Sequence, residues 1–127
     1  MSPRILLAED DKNIQMIVRD YLEASGFEVW LTNNGEEALQ ILSKGVPDLL
    51  ILDIAMPVLD GLELAKRIRQ IPETAQLPLL ALTARALPHD AERAFAAGCD
   101  SFITKPFTPV QLMDEIRRLL HISERSR

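Results

Sequence analysis

The chain has 127 residues, 47% apolar and 26% charged, with a formal net charge of −5. That length suits one domain of globular composition, and the acidic balance argues against nonspecific binding to nucleic acid. Apolar runs such as Leu49–Leu52 are far shorter than the roughly 20 residues of a membrane span, the N-terminus lacks a secretory h-region, and the lone Cys99 permits neither an intrachain disulfide nor a thiolate metal site. These features lead us to expect a cytoplasmic protein.

Ile5–Ala8 is a short apolar run that stops at Glu9-Asp10-Asp11. Ile14, Ile17, Val18, Tyr21 and Leu22 then recur at helical spacing, which predicts a helix burying that face. Gly26 followed by Phe27 is a helix stop with its apolar partner. Val29-Trp30-Leu31 predicts a second strand, and Asn33-Asn34-Gly35 a turn into a helix that carries Ala38, Leu39 and Leu42 on its apolar side. Gly45-Val46 repeats the stop signal.

Leu49–Asp53 is the strongest strand signal. Its apolar character is continuous rather than alternating, as in a strand covered on both faces of a parallel sheet. A loop from Met56-Pro57 to Asp60-Gly61 leads to a third helix with Leu64, Ala65, Ile68 and Ile71. Leu79–Thr83 is the fourth strand, Pro88 opens the fourth helix, and Gly98-Cys99 closes it. Phe102–Thr104 is the fifth strand. Pro109 falls in the first turn of the last helix, whose buried side is Leu112, Met113, Ile116, Leu119 and Leu120. Five strand–helix units in this length predict an α/β fold, a parallel sheet with helices on both faces.

The apolar runs end in a pattern. The first stops at Glu9, Asp10 and Asp11, the third at Asp53 and the fourth at Thr83, and the fifth is followed by Lys105. In a parallel sheet these ends share one edge, the edge at which open α/β sheets bind ligands. Two carboxylates about 5 Å apart repel by roughly 3 kcal/mol at an effective dielectric near 20. Three of them require a cation, a lysine or a proton. Oxygen donors without His or Cys favour Mg²⁺ over zinc. A carboxylate beside such a site, with a hydroxyl and an amine, suits phosphoryl transfer through an aspartyl phosphate. Singly, each residue has a plainer reading: Asp11 and Asp53 as helix caps, Thr83 as a strand-end hydroxyl, Lys105 as a surface charge. Their joint placement favours a site. For Asp11 the cap and the cluster stay equally open.

The ordered set Glu9-Asp10, Asp53 with Met56-Pro57 and Asp60-Gly61, Thr83-Ala84 and Lys105-Pro106 resembles the receiver domains of bacterial two-component response regulators. So does Ala97–Asp100 before Phe102–Phe107. The resemblance implies a single receiver domain over residues 1–127 with a core of about 4–121. The implied fold is a CheY-like, flavodoxin-like doubly wound sheet of strand order 2-1-3-4-5. It implies Asp53 as phosphoacceptor, taking its phosphoryl group from a sensor histidine kinase or a histidine phosphotransfer protein. Mg²⁺ would be held by Asp10 and Asp53, by Glu9 through water and by the backbone carbonyl of Ala55. Lys105, Thr83 and Ala84 would bind the phosphoryl oxygens. Thr83 and Phe102 would act as the switch pair, although Phe102 reads equally as a core aromatic. The Lys105-Pro106 bond would be cis.

The resemblance further implies that the fourth helix, fifth strand and fifth helix, about residues 86–121, form the surface that meets a downstream protein target. The chain would be a phosphoacceptor, not an enzyme acting on other substrates. It would be a monomer or weak dimer, without direct nucleic-acid or membrane contact. Only Ile122–Arg127 follow the last helix, so we expect a stand-alone receiver or a piece of a larger regulator or hybrid kinase. Ala55 and Arg85 occupy positions that tune phosphoryl lifetime in that family. Ala55 has no side chain to orient a water, so slow dephosphorylation is expected.

Other functions fit less well. An aspartyl-nucleophile phosphatase wants an acid two residues after the nucleophile, where this chain has Ala55. A flavin site wants a Gly/Ser/Thr-rich loop where this chain has three acids. An interaction module that has lost phosphorylation would lack an acidic residue, Asp53 or Lys105, and all are present.

Overall fold

The computed structural model describes residues 2–84 and 88–125, with side chains described for residues 2–84 and 89–121. Along the chain run β1 (Arg4–Ala8), α1 (Lys12–Ala24), β2 (Glu28–Thr32), α2 (Gly35–Leu42), β3 (Leu49–Asp53), α3 (Gly61–Gln70), a 3-10 turn (Pro72–Thr74), β4 (Leu79–Thr83), α4 (Pro88–Ala97), β5 (Ser101–Thr104) and α5 (Pro109–Arg125). All strand pairs are parallel, in the order β2-β1-β3-β4-β5. This is the α/β sheet with helices on both faces read from the sequence, in the flavodoxin-like doubly wound order that the resemblance implied.

β3 and β4 are buried at every position, which is why their sequences do not alternate. One sheet face packs Leu6, Leu50, Leu52, Leu79 and Ala81 against α2, α3 and α4. The other packs Ile5, Leu7, Ile51, Leu80 and Leu82 against α1 and α5.

Helix ends follow local chemistry. Asn34 and Asp60 cap α2 and α3 by accepting from Glu37 N–H and Glu63 N–H, both at 2.9 Å. Thr108 Oγ1 accepts from Gln111 N–H at 3.1 Å while Gln111 Oε1 accepts from Thr108 N–H at 2.9 Å, a reciprocal capping box before Pro109. After α1, Gly26 (φ +94°) lets Phe27 N–H reach Leu22 O at 3.0 Å.

Three expectations need correction. Ile17 and Tyr21 are 51% and 38% exposed, whereas Gln15, Val18 and Leu22 are buried. The buried stripe of α1 is rotated from the one that apolarity suggested, because a polar side chain occupies one of its positions. Gly45 does not adopt positive φ; after α2 the chain turns through Lys44 and Gly45 N–H bonds to Ile41 O. The 3-10 turn after α3 had no sequence prediction, and Ile71 caps α3 rather than packing in its core.

Candidate functional site

Strand ends assemble the site. β1 stops at Ala8, and Glu9 is held by its own N–H, which donates to Thr32 O at 3.1 Å. The Glu9 side chain points inward and is fully buried, while Asp10 faces solvent. β3 ends with Asp53, only 6% exposed, whose Oδ1 accepts from Ala55 N–H at 3.1 Å. β4 ends with buried Thr83. Thr83 O accepts from Lys105 N–H at 2.6 Å, which fixes where the chain leaves β5. The Lys105–Pro106 bond is cis, as the resemblance implied. Gly61 lies under the site, where a Cβ would stand 2.4 Å from Asp53 O.

One carboxylate oxygen from each of Glu9, Asp10 and Asp53 lies within 4.8 Å of the others. Lys105 Nζ enters this group, donating to Glu9 Oε1 at 2.7 Å and to Asp53 Oδ2 at 3.3 Å. Glu9 Oε2 accepts from Asp11 N–H at 3.2 Å. Burial, then the Asp53 carboxylate, pushes the Glu9 carboxyl up to about 7, against the pull of Lys105. Burial works against the charged form of Lys105, but the Glu9 and Asp53 carboxylates outweigh it and hold the ammonium above its usual value. One ammonium therefore leaves surplus negative charge among three oxygen-donor side chains. That donor set, with no nitrogen or sulfur ligand in it, fits a hard divalent cation.

The structure brings Glu9, Asp10, Asp53, Thr83 and Lys105 to the expected edge. Asp11 is resolved as the α1 cap, its Oδ1 accepting from Asn13 N–H at 2.9 Å and Ile14 N–H at 3.3 Å. Ala84 is exposed beside Thr83. Arg85 and the start of the expected 86–121 readout surface lie outside the described residues. Phe102 is half-buried against the α2–α4 face of the sheet. Sequence reasoning missed Gln15, a buried amide in the second turn of α1. Its signal was a polar residue in register with Val18 and Leu22.

This fold and edge define a doubly wound α/β protein with an acidic group at the carboxyl ends of its strands. A sequence model of the response regulator receiver domain matches residues 5–117, and the chain belongs to that family. It is 42% identical over 120 residues to the phosphate regulon transcriptional regulatory protein PhoB of Rhizobium meliloti, covering 94% of this chain and 53% of that protein. The chain thus spans about half the length of the longer regulators it matches. It is 35% identical to the polar-differentiation response regulator DivK of Brucella anthropi, covering 94% of this chain and 98% of that one. Among solved structures, the receiver domain of sensor histidine kinase PA1611 from Pseudomonas aeruginosa, with magnesium coordinated in its active-site cleft, aligns with a TM-score of 0.89. Identity there is 30%, over 95% of this chain and 99% of that one. Receiver domains as a class bind Mg²⁺ in such an acidic pocket and interact with histidine kinases and downstream targets.

Proposed function

We propose that this chain takes a phosphoryl group on Asp53 from a phosphohistidine of a sensor kinase or phosphotransfer protein and thereby switches a protein-binding surface. The observation that carries the reading is Lys105 bridging Glu9 and Asp53 with Asp10 beside them. A carboxylate oxygen of Asp53 attacks phosphorus. The new P–O bond forms as the donor P–N bond breaks, and the electron pair leaves with the imidazole nitrogen. Ala55 N–H and Lys105 hold the Asp53 carboxylate at both oxygens, so the nucleophile is oriented before the donor arrives. Glu9, Asp10 and Asp53 would hold Mg²⁺, with the Ala55 carbonyl, and Mg²⁺ when bound would neutralise charge on the transferred phosphoryl group. Lys105, the Thr83 hydroxyl and Ala84 would receive the phosphoryl oxygens.

The added group brings nearly two negative charges and three acceptors. Contacts to it exist only after transfer, so they bias an equilibrium between two arrangements of Thr83 and Phe102. The chain's chemistry is then limited to its own phosphorylation and dephosphorylation, in the cytoplasm, as a monomer or weak dimer. Ala55 offers no side chain to a hydrolytic water, so the phosphoryl group persists beyond seconds in Mg²⁺.

Incubation with MgCl₂ and acetyl phosphate is the test. The expected outcome is a mass gain of one phosphoryl group that Asp53→Asn abolishes. No gain, or a gain that survives the substitution, rejects the proposal.

A further inference from the structure

We infer that Gln15 is a positioning residue for the cation site: its buried amide clamps the Glu9–Asp10 peptide to the β2–α2 turn and so sets where the Glu9 and Asp10 carboxylates point. The inference rests on the reading of the acidic group as a Mg²⁺ site.

Gln15 lies on α1 and is only 5% exposed. Its Nε2 donates to Glu9 O, to Asn33 Oδ1 at 2.9 Å and, more weakly, to Thr32 O at 3.5 Å. All of these partners are acceptors, which assigns the NH₂ rather than the carbonyl to this side. Asn33 is oriented independently. Its backbone N–H and its Nδ2 both donate to Glu37 Oε1, at 2.8 and 3.1 Å. Its Oδ1 is left to face the donors Gln15 Nε2 and Lys12 Nζ.

The consequence falls on one peptide. Glu9 N–H is already tied to Thr32 O, and Gln15 ties the carbonyl of the same residue. The Glu9 N–H is thereby fixed against the end of β2, and its carbonyl against α1 and, through Gln15, the β2–α2 turn. The orientation of the Glu9–Asp10 peptide plane governs ψ of Glu9 and φ of Asp10, and hence the directions of both side chains. A cation with near-ideal octahedral demands is sensitive to such an orientation. Loss of an outer hydrogen-bond partner typically weakens a metal site by roughly 10–100-fold. A purely structural glutamine would lower stability without changing the affinity of the folded protein.

The experiment uses the full chain and Gln15→Met, which keeps length and shape but removes both donors. MgCl₂ titration by calorimetry is paired with phosphorylation by acetyl phosphate over a range of MgCl₂. The expected result is a Mg²⁺ dissociation constant raised by roughly tenfold. The half-saturating Mg²⁺ concentration for phosphorylation rises with it, and the maximal rate stays that of the parent protein. Should Gln15→Met not fold, Gln15→Asn, an amide one methylene short of Glu9 O, carries the same expectation. Unchanged affinity in a folded variant, or a maximal rate that falls while affinity holds, overturns the role of Gln15. A parent protein that is phosphorylated and binds Mg²⁺ isolates that failure to Gln15. A parent that binds no Mg²⁺ overturns both this inference and the reading beneath it.

Discussion

Lys105 and Glu9 are 96 residues apart in sequence, yet the Lys105 ammonium donates to Glu9 Oε1 at 2.7 Å, closer than its 3.3 Å contact with Asp53. Glu9 is fully buried and the Lys105 side chain is 14% exposed, so water screens this pair poorly. Breaking a buried pair by removing one partner costs about 3–5 kcal/mol. Lys105→Met is expected to lower stability by about 3 kcal/mol at pH 8, and by less at pH 5, where Glu9 takes up a proton. It should also slow phosphorylation. Urea unfolding at the two pH values checks this, and equal stability of variant and parent at pH 8 contradicts it.

The raised Glu9 carboxyl makes the metal-free protein sensitive to pH. Between the ordinary value of 4.5 and about 7, the folded state keeps a proton that the unfolded chain has released. Stability therefore falls as pH rises through that window, by about 3 kcal/mol from this group. Glu9→Gln should flatten the fall. Because a cation and a proton compete for the same carboxylates, MgCl₂ should stabilise the protein more at pH 8 than at pH 5. Chemical denaturation with and without MgCl₂ gives the answer; a metal-free protein that gains stability across this range in step with Glu9 titration refutes the charge arrangement.

Gly61 belongs to α3 but packs on the strand that carries Asp53. A Cβ there would stand 2.4 Å from Asp53 O and 2.8 Å from Ile54 Cα, both backbone atoms that cannot swing aside. Gly61→Ala is expected to cost about 1–3 kcal/mol and to reduce Asp53 phosphorylation by acetyl phosphate. Thermal unfolding and mass spectrometry read the two effects; parent-like values in both would show that the backbone yields freely.

Arg69 offers a contrast away from Asp53. Its guanidinium donates to Gly98 O, Thr74 O, Ala75 O and Leu77 O at 2.7–3.3 Å, and to Asp100 Oδ2 at 2.9 Å. Asp100 Oδ2 also accepts from Leu79 N–H at 2.8 Å. This ties α3, the 3-10 turn and the approaches to β4 and β5. Arg69→Met should destabilise the fold by about 2–3 kcal/mol, the scale of hydrogen bonds to a charged group. Phosphorylation of the folded fraction should be unaffected. A loss of phosphorylation without a loss of stability would place Arg69 in the site's chemistry instead.

Sequence alone determined the alternation of five strands and five helices, because continuous runs such as Leu49–Leu52 and Leu79–Leu82 mark strands covered on both faces. It also determined the polar edge, since the polar residues sit where those runs stop and parallel strands must end together. Tertiary structure alone decided which atoms meet there. Helical spacing placed Ile17 and Tyr21 inward, but burial went to Gln15, whose amide finds acceptors on two other segments. It also separated Glu9 and Asp10, whose carboxylates gather beside Asp53, from Asp11, which caps a helix. The Arg69 hub and the turn at Pro72–Thr74 gave no local signal for the same reason. Periodicity is a property of neighbours along the chain, whereas a buried polar group is satisfied by partners that only folding brings close.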